Sequence, residues 1–370
     1  MDRTPEHEPG VPRADLIVLA RESRGLTQIA LASRLDLSQG HLSKLEAGML
    51  PVSDAMLERL GGALGYPAHF FTLREPLYGP GTSEFFHRKR SAMSARLLAQ
   101  IHALVNIRRI QVSRMLRAVE LDEDRIPELN LEDFADSPEQ VARAVRATWS
   151  LPRGPVMDLT EVVEAAGGVV VPMDFGTQLI DGIGRYVPGM PPLFFINRDA
   201  PADRTRLTLA HELGHMVMHR VPNAEMEEQA FRFGAELLMP DQDIRGDLDG
   251  LTLDRLVWLK RRWRVSMGAL LKRAETVGKI QPRRARYLWM SMSKMGYRTR
   301  EPAEADIAPE IPHTLKDIVD AHVRQLGYSA EELAYLVALM PSELETTYGV
   351  GAGGRDARRT RLRIFHSSAG

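Results

Sequence analysis

The sequence predicts a mainly α protein with one small mixed α+β domain, and three observations carry that expectation. The stretch to about Leu73 reads as all-helical. Only three short runs, Gly168–Pro172, Ile183–Val187 and Leu193–Asn197, are rich enough in Val, Ile and Phe to be strands. Two long helices then follow, and helical spacing continues to about Tyr348.

Composition narrows the possibilities. With 370 residues, 44% hydrophobic and 26% charged, the chain has material for two or three domains with real cores. It contains no cysteine, which removes thiol nucleophiles, Cys-ligated zinc, iron–sulfur clusters and disulfides; any metal site has to use His and carboxylate ligands. The start, Met1 to His7, has no apolar core of signal-peptide type, and no run of eighteen apolar residues occurs. A cytoplasmic chain that makes no use of membranes is expected.

Proline and glycine punctuate the sequence. Residues 1–12 read as a disordered leader and 13–75 as a compact helical module. Residues 76–136 read as a linker that opens with the Pro76–Gly81 run and carries a basic helix from about Ser91 to Glu120. Residues 137–275 form the mixed domain, 276–348 a C-terminal helical domain and 349–370 a flexible tail. The glycines at 349–354 lack the flanking strand and βαβ unit that a nucleotide loop requires.

A net charge of −1 hides strong segregation. From Phe85 to Arg117 there are eight Lys/Arg and no acid, and from Arg255 to Arg300 fourteen against Glu275 alone. From Glu301 to Glu345 ten acids face two bases. Such blocks either screen each other or meet polyanions.

In the first module, Thr27 is placed to cap one short helix and Ser38 the next, with Asp36-Leu37-Ser38 as the turn and Gly48 as a stop. The second helix buries Leu42 and Leu45 and leaves Gln39, Gly40, His41, Ser43 and Lys44 outward. Small polar side chains on such a face suit the major groove: Gln can bond an adenine edge bidentately, and Lys or Ser can reach phosphates. The run Gly25-Leu26-Thr27-Gln28 to Ala47-Gly48 resembles the Cro/cI-type repressor helix-turn-helix of the XRE family. The resemblance implies that Gln28 touches the DNA backbone and that Gln39 starts the reading helix. Gln28, Ser38, Gln39, Gly40, His41, Ser43 and Lys44 are the candidate contacts to a double-stranded DNA operator. Residues 11–72 hold six bases and six acids, so electrostatic affinity must come from dimerisation or from the basic blocks outside. A homodimer on paired half-sites is expected.

His211-Glu212-Leu213-Gly214-His215 is an HExxH motif. On a helix, positions i and i+4 share a face, so both imidazoles can bind one Zn²⁺ while Glu212 takes a proton from bound water. His219 is eight residues from His211, ~12 Å along the axis, too far to share one ion; it reads as a helix-end residue. On the next helix the apolar stripe is Met226, Ala230, Phe233, Gly234, Leu237 and Leu238. Glu227 falls on that stripe, whereas Glu225 faces away and Glu228 falls with Arg232 and Glu236 on the polar side. A carboxylate on a buried face needs a cation, which makes Glu227 the third ligand.

Thr208 to His215, followed by Glu227 through Leu238-Met239-Pro240 and preceded by the strand ending at Asn197, resembles the ImmA/IrrE metallo-endopeptidase family. The resemblance covers nearly the whole chain as the fused type, an XRE module followed by a zincin-like peptidase domain with a short three-stranded sheet. Gln229 and Phe231 stand where it leads one to expect an acid and a small polar residue. It implies one Zn²⁺ per chain held by His211, His215 and Glu227, with Glu212 as the catalytic base and cleavage of a protein substrate such as a repressor in a stress or prophage-type response. Tyr186 is the candidate for the oxyanion, and the short strand at Ile183–Val187 could pair with an extended substrate. Two alternatives stand beside this. One is a transcription factor whose peptidase-like domain senses a ligand or holds a metal without proteolysis. The other is a component of a toxin–antitoxin or prophage control pair.

Overall fold

A computed structural model describes residues 10–79, 93–121, 125–350 and 363–364. Most of the leader and tail therefore lie outside the described residues, as do Arg88, Lys89 and Arg90 of the first basic block. The chain divides into two compact units: one drawn from within 1–80, 91–122 and 315–370, the other chiefly from 123–314. The division falls inside the stretch read from sequence as one C-terminal helical domain, 276–348.

The first unit begins with α1 (Ala14–Ser23), α2 (Gln28–Arg34), α3 (Gln39–Glu46), α4 (Asp54–Leu64) and a 3-10 turn at Ala68–Thr72. Three of these starts, those of α2, α3 and α4, have a local cause. The Thr27 hydroxyl accepts from the N–H of Ala30, Ser38 from that of His41 and Ser53 from that of Met56, which satisfies donors that a helix start leaves orphaned. Gly48 follows α3 at φ +68, a left-handed turn that costs a glycine little. Leu16, Ile17, Leu31, Leu42, Leu60, Phe70 and Phe71 are fully or almost fully buried and form the core. The helix α5 (Ala95–Met115), capped by Ser94, packs on α1 and is followed by the short β1 (Val119–Glu120).

The second unit contains α6 (Pro138–Thr148), α7 (Leu159–Ala165), β2 (Val169–Met173), β3 (Gly182–Arg185) and β4 (Leu193–Asn197). The strands are those expected, with the first two shifted by one or two residues. They form one sheet of order β2-β4-β3, with β2 parallel and β3 antiparallel to β4. All five residues of β4 are buried, as a central strand covered on both faces requires. Next come α8 (Ala202–Met218) and α9 (Met226–Leu238), then α10 (Asp241–Ile244), α11 (Leu253–Trp263), α12 (Met267–Thr276) and α13 (Pro282–Lys294). α8 packs on β3 and β4, while α9 packs on α8 and α6. Phe194, Leu209, Leu213, Phe233, Leu237 and Trp263 share one core.

The chain then returns to the first unit with α14 (Thr314–Asp320), which continues as a π-helical turn at Ala321–Gln325, and with α15 (Ala330–Leu336), α16 (Pro341–Tyr348) and β5 (Arg363–Ile364). β5 pairs antiparallel with β1. The Tyr335 ring lies against His69, with ring centroids 4.0 Å apart, and Glu343 pairs with Arg24 at 3.0 Å. α15 and α16 are thus packed on the N-terminal helices of this unit.

The structure also disposes of much of the charge segregation. Arg114 and Arg117 meet the buried Glu75, and Arg109 lies over the Tyr78 ring. In the second block Lys260 is buried between Asp203 (2.5 Å) and Glu301 (2.7 Å). Arg262 pairs with Asp247, Arg273 with Glu236, Lys279 with Asp249 and Arg300 with Asp306. Here opposite charges meet inside each unit.

Candidate metal centre and nucleic-acid interface

α8 and α9 approach closely because each has a glycine at the crossing. A Cβ on Gly214 would stand 2.9 Å from Cδ1 of Phe233, and one on Gly234 would stand 3.2 Å from the backbone N of His211. The close approach brings the first turn of α9 up to the HExxH face of α8. His211, His215 and Glu227 are all buried, and one ligand atom from each lies within 4.8 Å of the others. Nε2 of His215 is 3.0 Å from Nε2 of His211 and 3.2 Å from Oε1 of Glu227, while Nε2 of His211 is 3.7 Å from Oε2 of Glu227.

This donor set fits a metal. Two ring nitrogens and a carboxylate converge in a buried space, where a negative charge facing imidazole lone pairs is costly without a cation. Two imidazoles and one carboxylate are also a zinc set that leaves a coordination position open.

Glu212 lies between the two histidines in sequence and is 1% exposed. Its Oε2 accepts a 2.7 Å hydrogen bond from the backbone N–H of Gly184 in β3. Tyr186, one residue past β3, is 54% exposed. The Phe231 ring, 45% exposed, lies over His211 with ring centroids 4.4 Å apart.

His219 does more than end the helix. It is the C-cap of α8, and its ring turns back so that Nδ1 lies 3.0 Å from Nδ1 of His215 and Nε2 lies 2.9 Å from Oε1 of Gln229. Burial, followed by the neighbouring His215, pushes its pKa down to about 4. Glu225 and Glu228 are exposed, as their helical positions predict. Glu236 is the correction: instead of facing solvent with Glu228 it is 1% exposed, held by Arg273 and by Arg143 at 2.8 Å. Its arginines come from α12 and α6, and helical periodicity within α9 gives no sign of them. The role of Gly184 also escaped sequence reading, although two glycines two residues apart, Gly182 and Gly184, mark a strand approached closely on one face.

In the first unit, Ser38, Gln39, Gly40, His41 and Lys44 are exposed, and Ser43 is half-buried. Gln28 is half-buried and ties this surface together. Its amide donates to Oε2 of Glu46 at 2.8 Å, and its Oε1 accepts from Nε2 of Gln39 at 2.8 Å. Glu46 in turn accepts from Nε of Arg21 at 2.6 Å. The line Arg21–Glu46–Gln28–Gln39 therefore fixes the start of α3 against α1 and α2.

The second unit has the form of a metallopeptidase-like domain: two helices, one bearing HExxH and the next a carboxylate, packed on a small sheet with β3 at its edge. Residues 163–275 match the peptidase family described as the IrrE N-terminal-like domain, and residues 17–71 match the helix-turn-helix family. The chain joins both in one polypeptide, and the second match supports DNA binding by the N-terminal module. No curated protein matches the chain. Among the described residues no helix is long and apolar enough to cross a membrane.

Proposed function

We propose that the chain is a DNA-binding transcriptional regulator whose second unit is a zinc endopeptidase, with a repressor or other partner protein as its substrate. The convergence of His211, His215 and Glu227 on one buried point is the observation that carries this reading. These three residues would hold one Zn²⁺, and the bound ion would supply a Lewis acid that makes water acidic enough to deprotonate near neutral pH. Glu212 is the base that takes the proton. Its other bond, to the Gly184 N–H, keeps the carboxylate oriented toward the sheet edge. Among the described residues β3 pairs with β4 on one side only, so a substrate segment could add as a further strand. Gln39, Gly40, His41, Ser43 and Lys44 form the reading face, with Gln28 and Ser38 at its start, and a homodimer places two such faces on paired half-sites.

The test combines metal content with regulation in cells. Wild type should carry about one zinc per chain, His211→Ala should lose most of it and Glu212→Gln should keep it. Glu212→Gln should also leave a partner uncleaved and its genes unreleased. Normal regulation by Glu212→Gln, with no uncleaved partner accumulating, would leave a metal-holding sensor in place of a peptidase.

A further inference from the structure

Behind the candidate ligands runs a line of hydrogen bonds that the proposed reaction does not use, and its polarity can be worked out from the far end. The Gln229 amide nitrogen donates to the Glu225 carboxylate at 3.4 Å, and the Asn223 amide nitrogen donates to Oε1 of Gln229 at 3.5 Å. A carboxylate only accepts, so the NH₂ of Gln229 faces Glu225 and its oxygen faces His219. That oxygen, 2.9 Å from Nε2 of His219, can only accept, which puts the His219 proton on Nε2. A neutral imidazole carries one N–H, so Nδ1 of His219 is a bare acceptor. Nδ1 of His215, 3.0 Å away, must then be the donor. In the neutral ring that a cation requires, a proton on Nδ1 leaves Nε2 of His215 bare toward His211 and Glu227.

We infer that Gln229 and His219 are positioning residues that fix the tautomer and ring orientation of His215, so that its Nε2 is prepared for a divalent cation. The inference rests on the zinc reading of the trio and deepens it. Partners behind a ligating histidine commonly orient it and raise its basicity. An acid at 229 would do so while adding negative charge, whereas Gln229 sets the same polarity with a neutral group. The site then keeps Glu227 as its one carboxylate ligand.

Two measurements on the full-length chain test this. The first is long-range ¹H–¹⁵N NMR of the imidazoles in the metal-free protein, assigned with single His substitutions. His219 should be the Nε2–H tautomer and His215 the Nδ1–H tautomer; a His219 proton on Nδ1 overturns the inference whatever the variants do. The second is zinc affinity by competition with a chromophoric chelator, with thermal unfolding of each metal-free variant as the folding control. Gln229→Met should weaken zinc by about 10–100-fold, and His219→Phe should do the same. The double variant should be no weaker than the worse single one, because both break one line. Gln229→Glu should bind at least as tightly as wild type. Folded single variants with wild-type affinity would overturn the inference. A wild-type chain that takes no zinc would instead sink the metal reading, and the tautomers would remain measurable.

Discussion

Gly184 and Glu212 are joined by a 2.7 Å hydrogen bond from backbone N–H to carboxylate, and the same glycine leaves no room for a side chain. A Cβ there would stand 2.9 Å from Cε of Met216 and 3.0 Å from Oε2 of Glu212. Gly184→Ala should therefore push Glu212 off its bond and lower stability by about 1–3 kcal/mol, while zinc content stays at the wild-type level. Denaturant unfolding and metal analysis of one sample decide this. An alanine variant as stable as wild type would mean that β3 and α8 are not so closely pressed.

The line from Arg21 to Gln39 separates two ways of losing DNA. Glu46 is largely buried against Arg21, and removing one partner of a buried pair costs roughly 3–5 kcal/mol. Glu46→Ala should destabilise the first unit and weaken operator binding together. Gln39→Ala with Lys44→Ala removes exposed groups and only the outermost, exposed bond of that line, so stability should change little while operator binding falls and zinc content holds. Undiminished operator binding by that double variant would discredit the assignment of α3 as the reading helix.

Glu139 links α6 to α9 through two 2.8 Å bonds from Arg232. Burial alone would raise its pKa, but the Arg232 hydrogen bonds and charge outweigh this and hold it below the ordinary carboxylate value. A depressed folded pKa contributes stability above the unfolded value, about 4.3 for Glu, and loses it as pH falls through the folded value. Glu139→Gln should thus be less stable than wild type at neutral pH, and the gap should close on acidification. Urea unfolding at a series of pH values tests this, and a gap that persists into strong acid would contradict it.

Glu236, buried against the buried Arg273 and the exposed Arg143, is a structural keystone of the second unit. Glu236→Leu should lower stability by roughly 3–5 kcal/mol, because two guanidinium groups lose their counter-charge. Calorimetry of the metal-free chain separates this loss from any effect on zinc.

What could be read from the sequence was what a single helix encodes. The i, i+4 spacing of His211 and His215, the place of Glu227 on the apolar stripe of α9 and the capping hydroxyls of Thr27 and Ser38 depend on neighbours within one turn. What escaped depends on distant partners. Glu236 meets Arg143 from 93 residues away and Arg273 from 37 residues away, and Gly184 meets Glu212 across 28 residues. His219 does end the helix, as its position predicts, but its contact with His215 could not be read from sequence. Counting along the axis correctly excluded it from sharing an ion with His211, but its cap geometry, φ −117 and ψ 84, takes it out of the helix and onto the back of His215.

Because α15 and α16 pack on the helix-turn-helix end through Tyr335 and Glu343, the ribosome delivers the first unit in instalments, with most of the second unit made between them. A premature stop codon soon after residue 314 would spare His211, His215 and Glu227 and instead deprive the helix-turn-helix end of these two supporting helices.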